Sequence, residues 1–127
     1  MRKIMIVDDD AEIANLVEAT LTRDDYQIVK AHNGLDAVLR AKEESPDLIL
    51  MDVIMPKKDG YSACREIRAD PDTKHIRIVM LTSMGGDEQV KKGLDAGADG
   101  YMIKPFSPVA LISKVSEMLG SDAAHGR

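Results

Sequence analysis

The sequence predicts an α/β domain built around a buried parallel sheet. Short apolar runs of four or five residues alternate with segments of helical period, the pattern of strands covered on both faces. Two of these runs, Ile4-Met5-Ile6-Val7 and Leu48-Ile49-Leu50-Met51, stop on aspartates: Asp8-Asp9-Asp10 after the first and Asp52 after the second. The chain has 127 residues, 44% hydrophobic and 31% charged, which fits one domain with a core that needs no disulfide or metal staple.

Taken in order, the strands are expected at Lys3–Val7, Tyr26–Lys30, Leu48–Asp52, Arg77–Thr82 and Gly100–Ile103. Between the first two, Ile13, Leu16, Val17, Thr20 and Leu21 recur at helical spacing and mark one face of a first helix. Leu35, Val38 and Ala41 mark a second, with Asn33 as its N-cap before Gly34. Ala63, Cys64 and Ile67 mark a third; Val90, Leu94 and Ala98 a fourth; Leu111, Ile112, Val115, Met118 and Leu119 the last. The tally is five βα units. The segment from Ser121 to Arg127 is small and polar and reads as a flexible tail, which leaves residues 1–120 as the folded domain.

A formal net charge of −5 argues against a nucleic-acid surface, which needs clustered Lys and Arg. One cysteine, Cys64, excludes an intrachain disulfide and reads as a small core residue on the inner face of the third helix. No apolar stretch approaches the length of a membrane span, and four apolar residues after Arg2-Lys3 are too few for a secretory signal. A cytoplasmic location without membrane insertion is the expectation.

Open α/β sheets bind ligands at the carboxyl ends of their strands. Asp8 and Asp9 follow the first strand, Asp52 ends the third, Thr82 and Ser83 end the fourth, and Lys104 follows the fifth. If the first and third strands are neighbours, several carboxylates meet at one edge. Two like charges about 4 Å apart repel by roughly 4 kcal/mol at an effective dielectric near 20. Such a cluster requires a proton, a basic partner or a cation, and a hard-oxygen set of this kind suits magnesium. Asp52, presented at a bend by the Pro56–Gly60 loop, is a candidate nucleophile or metal ligand. Asp10 instead suits the N-terminus of the first helix, where an acid offsets the dipole. Lys104 can aim a point charge into the anionic pocket, and Pro105 makes Lys104-Pro105 a candidate cis peptide. Thr82, Ser83 and the Gly85-Gly86 backbone offer donors to phosphoryl oxygens. His32, His75 and His125 are dispersed and match no ligand spacing.

Five ordered motifs carry a family resemblance: Ile-Val-Asp8-Asp9, Leu-Met-Asp52-Val-Ile-Met-Pro56-Lys-Lys-Asp59-Gly60, Met-Leu-Thr82-Ser83, Gly97-Ala98-Asp99-Gly100-Tyr101 and Lys104-Pro105-Phe106. From Lys3 to about Leu119 the chain resembles a bacterial response-regulator receiver domain of the chemotaxis-regulator (CheY-like) type. That resemblance implies a flavodoxin-like, doubly wound (βα)5 fold with strand order 2-1-3-4-5. It implies a two-component phosphorelay switch, with Asp52 as phosphoacceptor and a histidine kinase or phosphotransfer protein as donor, small acyl phosphates substituting. Asp9 then matches the acid that binds magnesium (or manganese) directly, Asp8 one acting through water, and Ile54 the position whose backbone carbonyl completes the shell. Thr82 and Lys104 match the groups that grip the phosphoryl oxygens, and Thr82 with Tyr101 the switch pair. The output surface would be the fourth helix, fifth strand and fifth helix, acting on an unknown downstream protein. The exposed charges Asp87-Glu88 and Lys91-Lys92 fall on that fourth helix.

Two departures from the family matter. Receivers that dimerise through this surface carry an acid where this chain has Gly100, and an arginine-rich last helix where this one reads Leu111-Ile-Ser-Lys-Val-Ser-Glu-Met-Leu119. A monomer or a weak, phosphorylation-dependent dimer is therefore expected. Ile54 and Met84 flank the expected path of the hydrolytic water and cannot orient it, so the domain should catalyse its own phosphorylation and only slow autodephosphorylation. The rival reading is a small phosphatase of the haloacid-dehalogenase type using Asp8. It is weakened by Ala11 where that motif has Thr or Val, by the absence of a later acidic pair and by the lack of room for a cap. A pseudo-receiver, the third reading, would have lost site residues; none is lost.

Overall fold

The structure, a computed structural model, describes residues 2–22, 26–55, 57–83 and 86–120. Five strands, β1 (Lys3–Val7), β2 (Gln27–Ala31), β3 (Leu48–Asp52), β4 (Arg77–Thr82) and β5 (Gly100–Ile103), alternate with five helices. The helices are α1 (Ala11–Thr22), α2 (Gly34–Glu44), α3 (Gly60–Ala69), α4 (Asp87–Asp95) and α5 (Pro108–Leu119). The strands form one parallel sheet in the order β2-β1-β3-β4-β5. That is the order the family resemblance implied. β2 begins one residue later than expected, at Gln27, and runs on to Ala31, whose carbonyl accepts the Asp8 N–H at 3.2 Å.

Strand alternation explains why the central runs are apolar throughout. Met5 and Val7 of β1, Ile49 and Met51 of β3, and Ile78 and Met80 of β4 face one layer with α2 and α3. Ile4, Ile6, Leu48, Leu50, Val79 and Leu81 face the other, with α1 and α5. Each pleat sends successive side chains to opposite faces, so a strand covered on both sides has no position left for a polar residue. Cys64 is fully buried in the first layer, and burial pushes its thiol up to about 11.

Three helices depart in part from the pattern read in the sequence. On α1 the buried row is Ala14, Val17 and Leu21, and Leu16 is exposed. On α2 it is Gly34, Ala37 and Ala41, with Leu35 exposed. On α4 Leu94 is exposed, and Ala98, though buried, lies past the helix end. On α2 and α4 small residues pack closest to the sheet, whereas α1 also buries Val17 and Leu21; on all three a leucine of the expected face is turned outward. α3 and α5 bury the expected residues, except that Ile112 and Met118 stay partly open.

Caps set where three helices begin. Asn33 accepts the Asp36 N–H at 2.8 Å, Asp59 accepts the Ser62 N–H at 2.8 Å, and Ser107 accepts the Ala110 N–H at 3.0 Å, with Pro108 in the first helical turn. The segment 121–127, expected as a tail, lies outside the described residues.

Candidate functional site

Register brings the polar strand ends level with one another. Val7 pairs with Met51, Asp52 with Leu81, and Leu81 with Met102, so Asp8 and Asp52 leave the sheet level with each other, Thr82 one residue further along and Lys104 two. Backbone bonds carry the ladder one step past the strands: Val53 N–H donates to Leu81 O at 3.0 Å and Lys104 N–H to Thr82 O at 2.7 Å. The β3–α3 loop returns sharply, with the Gly60 N–H donating to Val53 O at 2.8 Å. A methyl group on Gly60 would sit 2.4 Å from the Asp52 carbonyl oxygen, so only glycine lets α3 start this close to the strand.

Asp8, Asp9 and Asp52 each present a carboxylate oxygen within 4.8 Å of the others. Their environments differ. Asp8 is 1% exposed; its Oδ1 accepts the Asp10 N–H at 2.9 Å and its Oδ2 accepts from Lys104 Nζ at 2.9 Å. Asp52 is partly buried and meets the same ammonium at 3.3 Å through Oδ1. Asp9 is exposed. Asp10 turns away to α1, its Oδ1 accepting the Glu12 N–H at 2.9 Å, the helix-capping role read for it in the sequence.

The electrostatics are unbalanced. Burial, followed by repulsion from Asp8, pushes the Asp52 carboxyl above its ordinary range, and Lys104 only partly opposes this. Burial works against the Lys104 ammonium, but the Asp8 hydrogen bond and the Asp52 charge outweigh it and leave the lysine above its usual value. Among the described residues one ammonium meets two of the three clustered carboxylates, which leaves an excess of negative charge in a small space. A divalent cation with a preference for hard oxygen donors matches both the charge and the donor type.

Thr82 is buried at the end of β4, and Ser83 beside it is exposed. The Lys104–Pro105 peptide bond is cis. Ser83, Lys104, Pro105, Phe106, Ile13 and Leu16 line a groove of about 320 Å³ between α1 and the β5–α5 turn. Ile54 stands in the loop after Asp52, 59% exposed, and Tyr101 is exposed on β5. Pro56, Met84 and Gly85 lie outside the described residues, as does His125; His32 and His75 are exposed. Asp87, Glu88, Lys91 and Lys92 form an exposed face of α4, as the sequence indicated.

The sequence reading missed the ties that frame the site. Tyr61 on α3 donates from its hydroxyl to Gln89 Oε1 on α4 at 2.9 Å, a link between helices with no pattern in the sequence to announce it. At the opposite end of the sheet, Arg68 donates to Gly97 O at 2.7 Å, Lys74 O at 2.8 Å, Ile76 O and Asp99 Oδ2, tying α3 to the loops that enter β4 and β5.

The family model described as the response regulator receiver domain matches residues 4–116, and the chain belongs to that family. It is 42% identical over 117 residues to a protein described as the probable transcriptional regulator ycf27 of Pyropia yezoensis, covering 92% of this chain and 47% of that one. The chain thus spans about half the length of the curated relatives it matches. Among solved structures, a putative response regulator from Chloroflexus aurantiacus superposes with a TM-score of 0.88 at 36% identity, over 93% of this chain and 97% of that one. The receiver domain of the sensor histidine kinase PA1611 from Pseudomonas aeruginosa, described with a magnesium ion in its active-site cleft, gives 0.87 at 33%, over 94% and 98%. The chain is a response-regulator receiver domain of two-component systems. Nothing in these likenesses favours the phosphatase reading, and Asp8, with both oxygens engaged, is poorly placed as a nucleophile.

Proposed function

We propose that this receiver domain accepts a phosphoryl group on Asp52 from a phosphohistidine donor and uses the modification to control a protein partner. The observation that carries the reading is Lys104 bridging Asp8 and Asp52 beside exposed Asp9. A carboxylate nucleophile, a fixed positive charge and an open acidic donor set stand together, as phosphoryl transfer requires.

Asp8, Asp9, Asp52 and the Ile54 carbonyl would hold Mg2+, with Mn2+ as a substitute. Bound there, the ion would supply the positive charge that neutralises phosphoryl oxygens and the approaching carboxylate. An Asp52 oxygen attacks phosphorus as the phosphorus–nitrogen bond to the donor imidazole breaks, its electron pair remaining on the nitrogen. Lys104 already sits at the attacking carboxylate and engages one phosphoryl oxygen, with the Thr82 hydroxyl taking another. Water later cleaves the acyl phosphate, returning the Asp52 carboxylate and inorganic phosphate. Ile54 carries no group able to orient that water, and Met84 is expected to act likewise, so the phosphorylated state is long-lived. Small acyl phosphates serve as alternative donors, since the chain's own groups perform the chemistry.

The dianion on Asp52 creates new contacts for Thr82 and Lys104, and such a difference in contacts is what shifts a conformational equilibrium. Tyr101 on β5 follows Thr82 and reshapes the surface of α4, β5 and α5. We assign residues 1–120 to the receiver unit and a cytoplasmic setting to match its kinase. The partner at that surface is a protein, with no direct nucleic-acid contact, and the unit is a monomer or a weak, phosphorylation-dependent dimer. The test is intact mass after incubation with acetyl phosphate. The wild type should gain one phosphoryl group only when Mg2+ is present, and Asp52→Asn should gain none. Incorporation without the cation, or in Asp52→Asn, would overturn the reading.

A further inference from the structure

The turn between β2 and α2 supplies no acid, hydroxyl or lysine to the site, yet it touches both acid-bearing loops. On one side the Asp8 N–H donates to Ala31 O at 3.2 Å. On the other, the Gly34 N–H donates to Lys58 O at 3.1 Å, in the loop that follows Asp52. A Cβ on Gly34 would lie 2.1 Å from that carbonyl oxygen and 2.8 Å from its carbon. Gly34 is therefore needed for close approach of two backbones, not for an unusual dihedral angle.

We infer that Gly34 is a positioning residue: it sets how near the β3–α3 loop stands to the Asp8–Asp9 loop, and so the width of the metal-binding pocket. The inference rests on the metal site proposed above. Lys58 cannot yield without moving its neighbours, because the loop is pinned at both ends. Val53 N–H is bonded to Leu81 O at 3.0 Å and Gly60 N–H to Val53 O at 2.8 Å. Behind it, a Cβ on Gly60 would sit 2.4 Å from Asp52 O and 2.8 Å from Met80 Cε, so there is no slack toward the sheet. Gly34 is equally fixed. Its helix is started by Asn33, in extended backbone, accepting the Asp36 N–H at 2.8 Å, and Ala37 and Ala41 are fully buried beneath it.

A methyl at position 34 pushes the Lys58 carbonyl outward by about 1 Å, and displacements of that size matter in sites that depend on placement. The loop between the pins includes the Ile54 carbonyl. Moving it outward separates that oxygen from Asp8 and Asp9 and leaves the Asp52 nucleophile itself on its strand. Metal affinity suffers; the chemistry at saturating metal does not.

The experiment is a Mg2+ titration followed by backbone-amide NMR on the wild type, Gly34→Ala and Thr73→Val. Thr73→Val is a stability control that removes the buried Thr73–Ile67 hydrogen bond far from the loop. Gly34→Ala should weaken Mg2+ binding about tenfold, as loss of an outer support does, and keep its acetyl-phosphate labelling rate at saturating Mg2+ within about twofold of wild type. Thr73→Val should bind Mg2+ like the wild type despite a lower Tm. Should Gly34→Ala not fold, amide exchange in the wild type reads the same coupling by reciprocity. Mg2+ should slow exchange of the Gly34 N–H about tenfold and leave that of Thr73 unchanged. Unchanged affinity in folded Gly34→Ala overturns the inference alone. So does weakening that Thr73→Val matches, or no protection of Gly34. A wild type that binds no Mg2+ overturns the inference and the metal site together.

Discussion

The two sides of the site are held with different firmness. Asp8 follows β1 and Asp52 ends β3, strands in which Ile4 to Val7 and Leu48 to Met51 are all fully buried, and the neighbouring α3 is capped by Asp59 and buries Gly60, Ala63, Cys64 and Ile67. Across the sheet, β5 buries Met102 among its described residues, and α4 buries Gly93. Gly86 precedes α4 at φ 108° and gives it no side-chain cap. Local stability follows buried contact, so the α4–β5 side opens at lower free energy than the acid-bearing side. The difference is the one the proposed function requires of a domain that must hold a carboxylate in place and still change shape. The acid cluster sits where the core is dense, and the surface assigned above to the response hangs on few buried residues.

The largest expected effect breaks the dense side. Lys104→Met leaves Asp8 and Asp52 without their shared cation and should cost about 2–3 kcal/mol of stability in metal-free buffer, discounted from fully buried pairs because the lysine retains some exposure. Urea unfolding checks it, and added Mg2+ should recover part of the loss.

Asp52→Asn should act in the opposite direction and more weakly. The folded protein holds the Asp52 proton more tightly than the unfolded chain does, so the wild type loses stability as pH rises from below 3.8 through the raised value. The variant should match the wild type at the acid end and exceed it at neutral pH. Thermal unfolding across that range shows it, and a variant no more stable at pH 7 would contradict the electrostatic reading.

Two smaller effects sharpen the contrast on the α4 side. Tyr61→Phe removes the donor to Gln89 and should cost about 1 kcal/mol, appearing as faster amide exchange across α4 with β1 and β3 unchanged. Gly93→Ala should do the reverse. Its new methyl would meet Met80 Cγ at 3.6 Å, an ordinary contact, and alanine favours helix over glycine by up to about 1 kcal/mol. Slower exchange in α4 alone is the expected result.

The sheet and the acids were legible in the sequence because an apolar run that ends on aspartate is a strong local signal, and parallel register then aligns the ends of β1, β3 and β4. Asp10 could be separated from Asp8 and Asp9 because a carboxylate beginning a helix has a capping role of its own. The helix faces were less legible. Val17, Leu21 and Ala41 are buried as expected, but Ala14, Ala37 and Gly93 carry little hydrophobic weight, so the larger Leu16, Leu35 and Leu94 were read into the buried faces in their place. The Gly34–Lys58 approach and the Tyr61–Gln89 bond were invisible, since each depends on how far apart two finished elements stand.

Peptide mapping of the acetyl-phosphate-treated protein, with the acyl phosphate trapped by borohydride, tests the central claim most directly. The geometry predicts modification at Asp52 alone. Label on Asp8 or Asp9, with Asp52 unmodified, would contradict it.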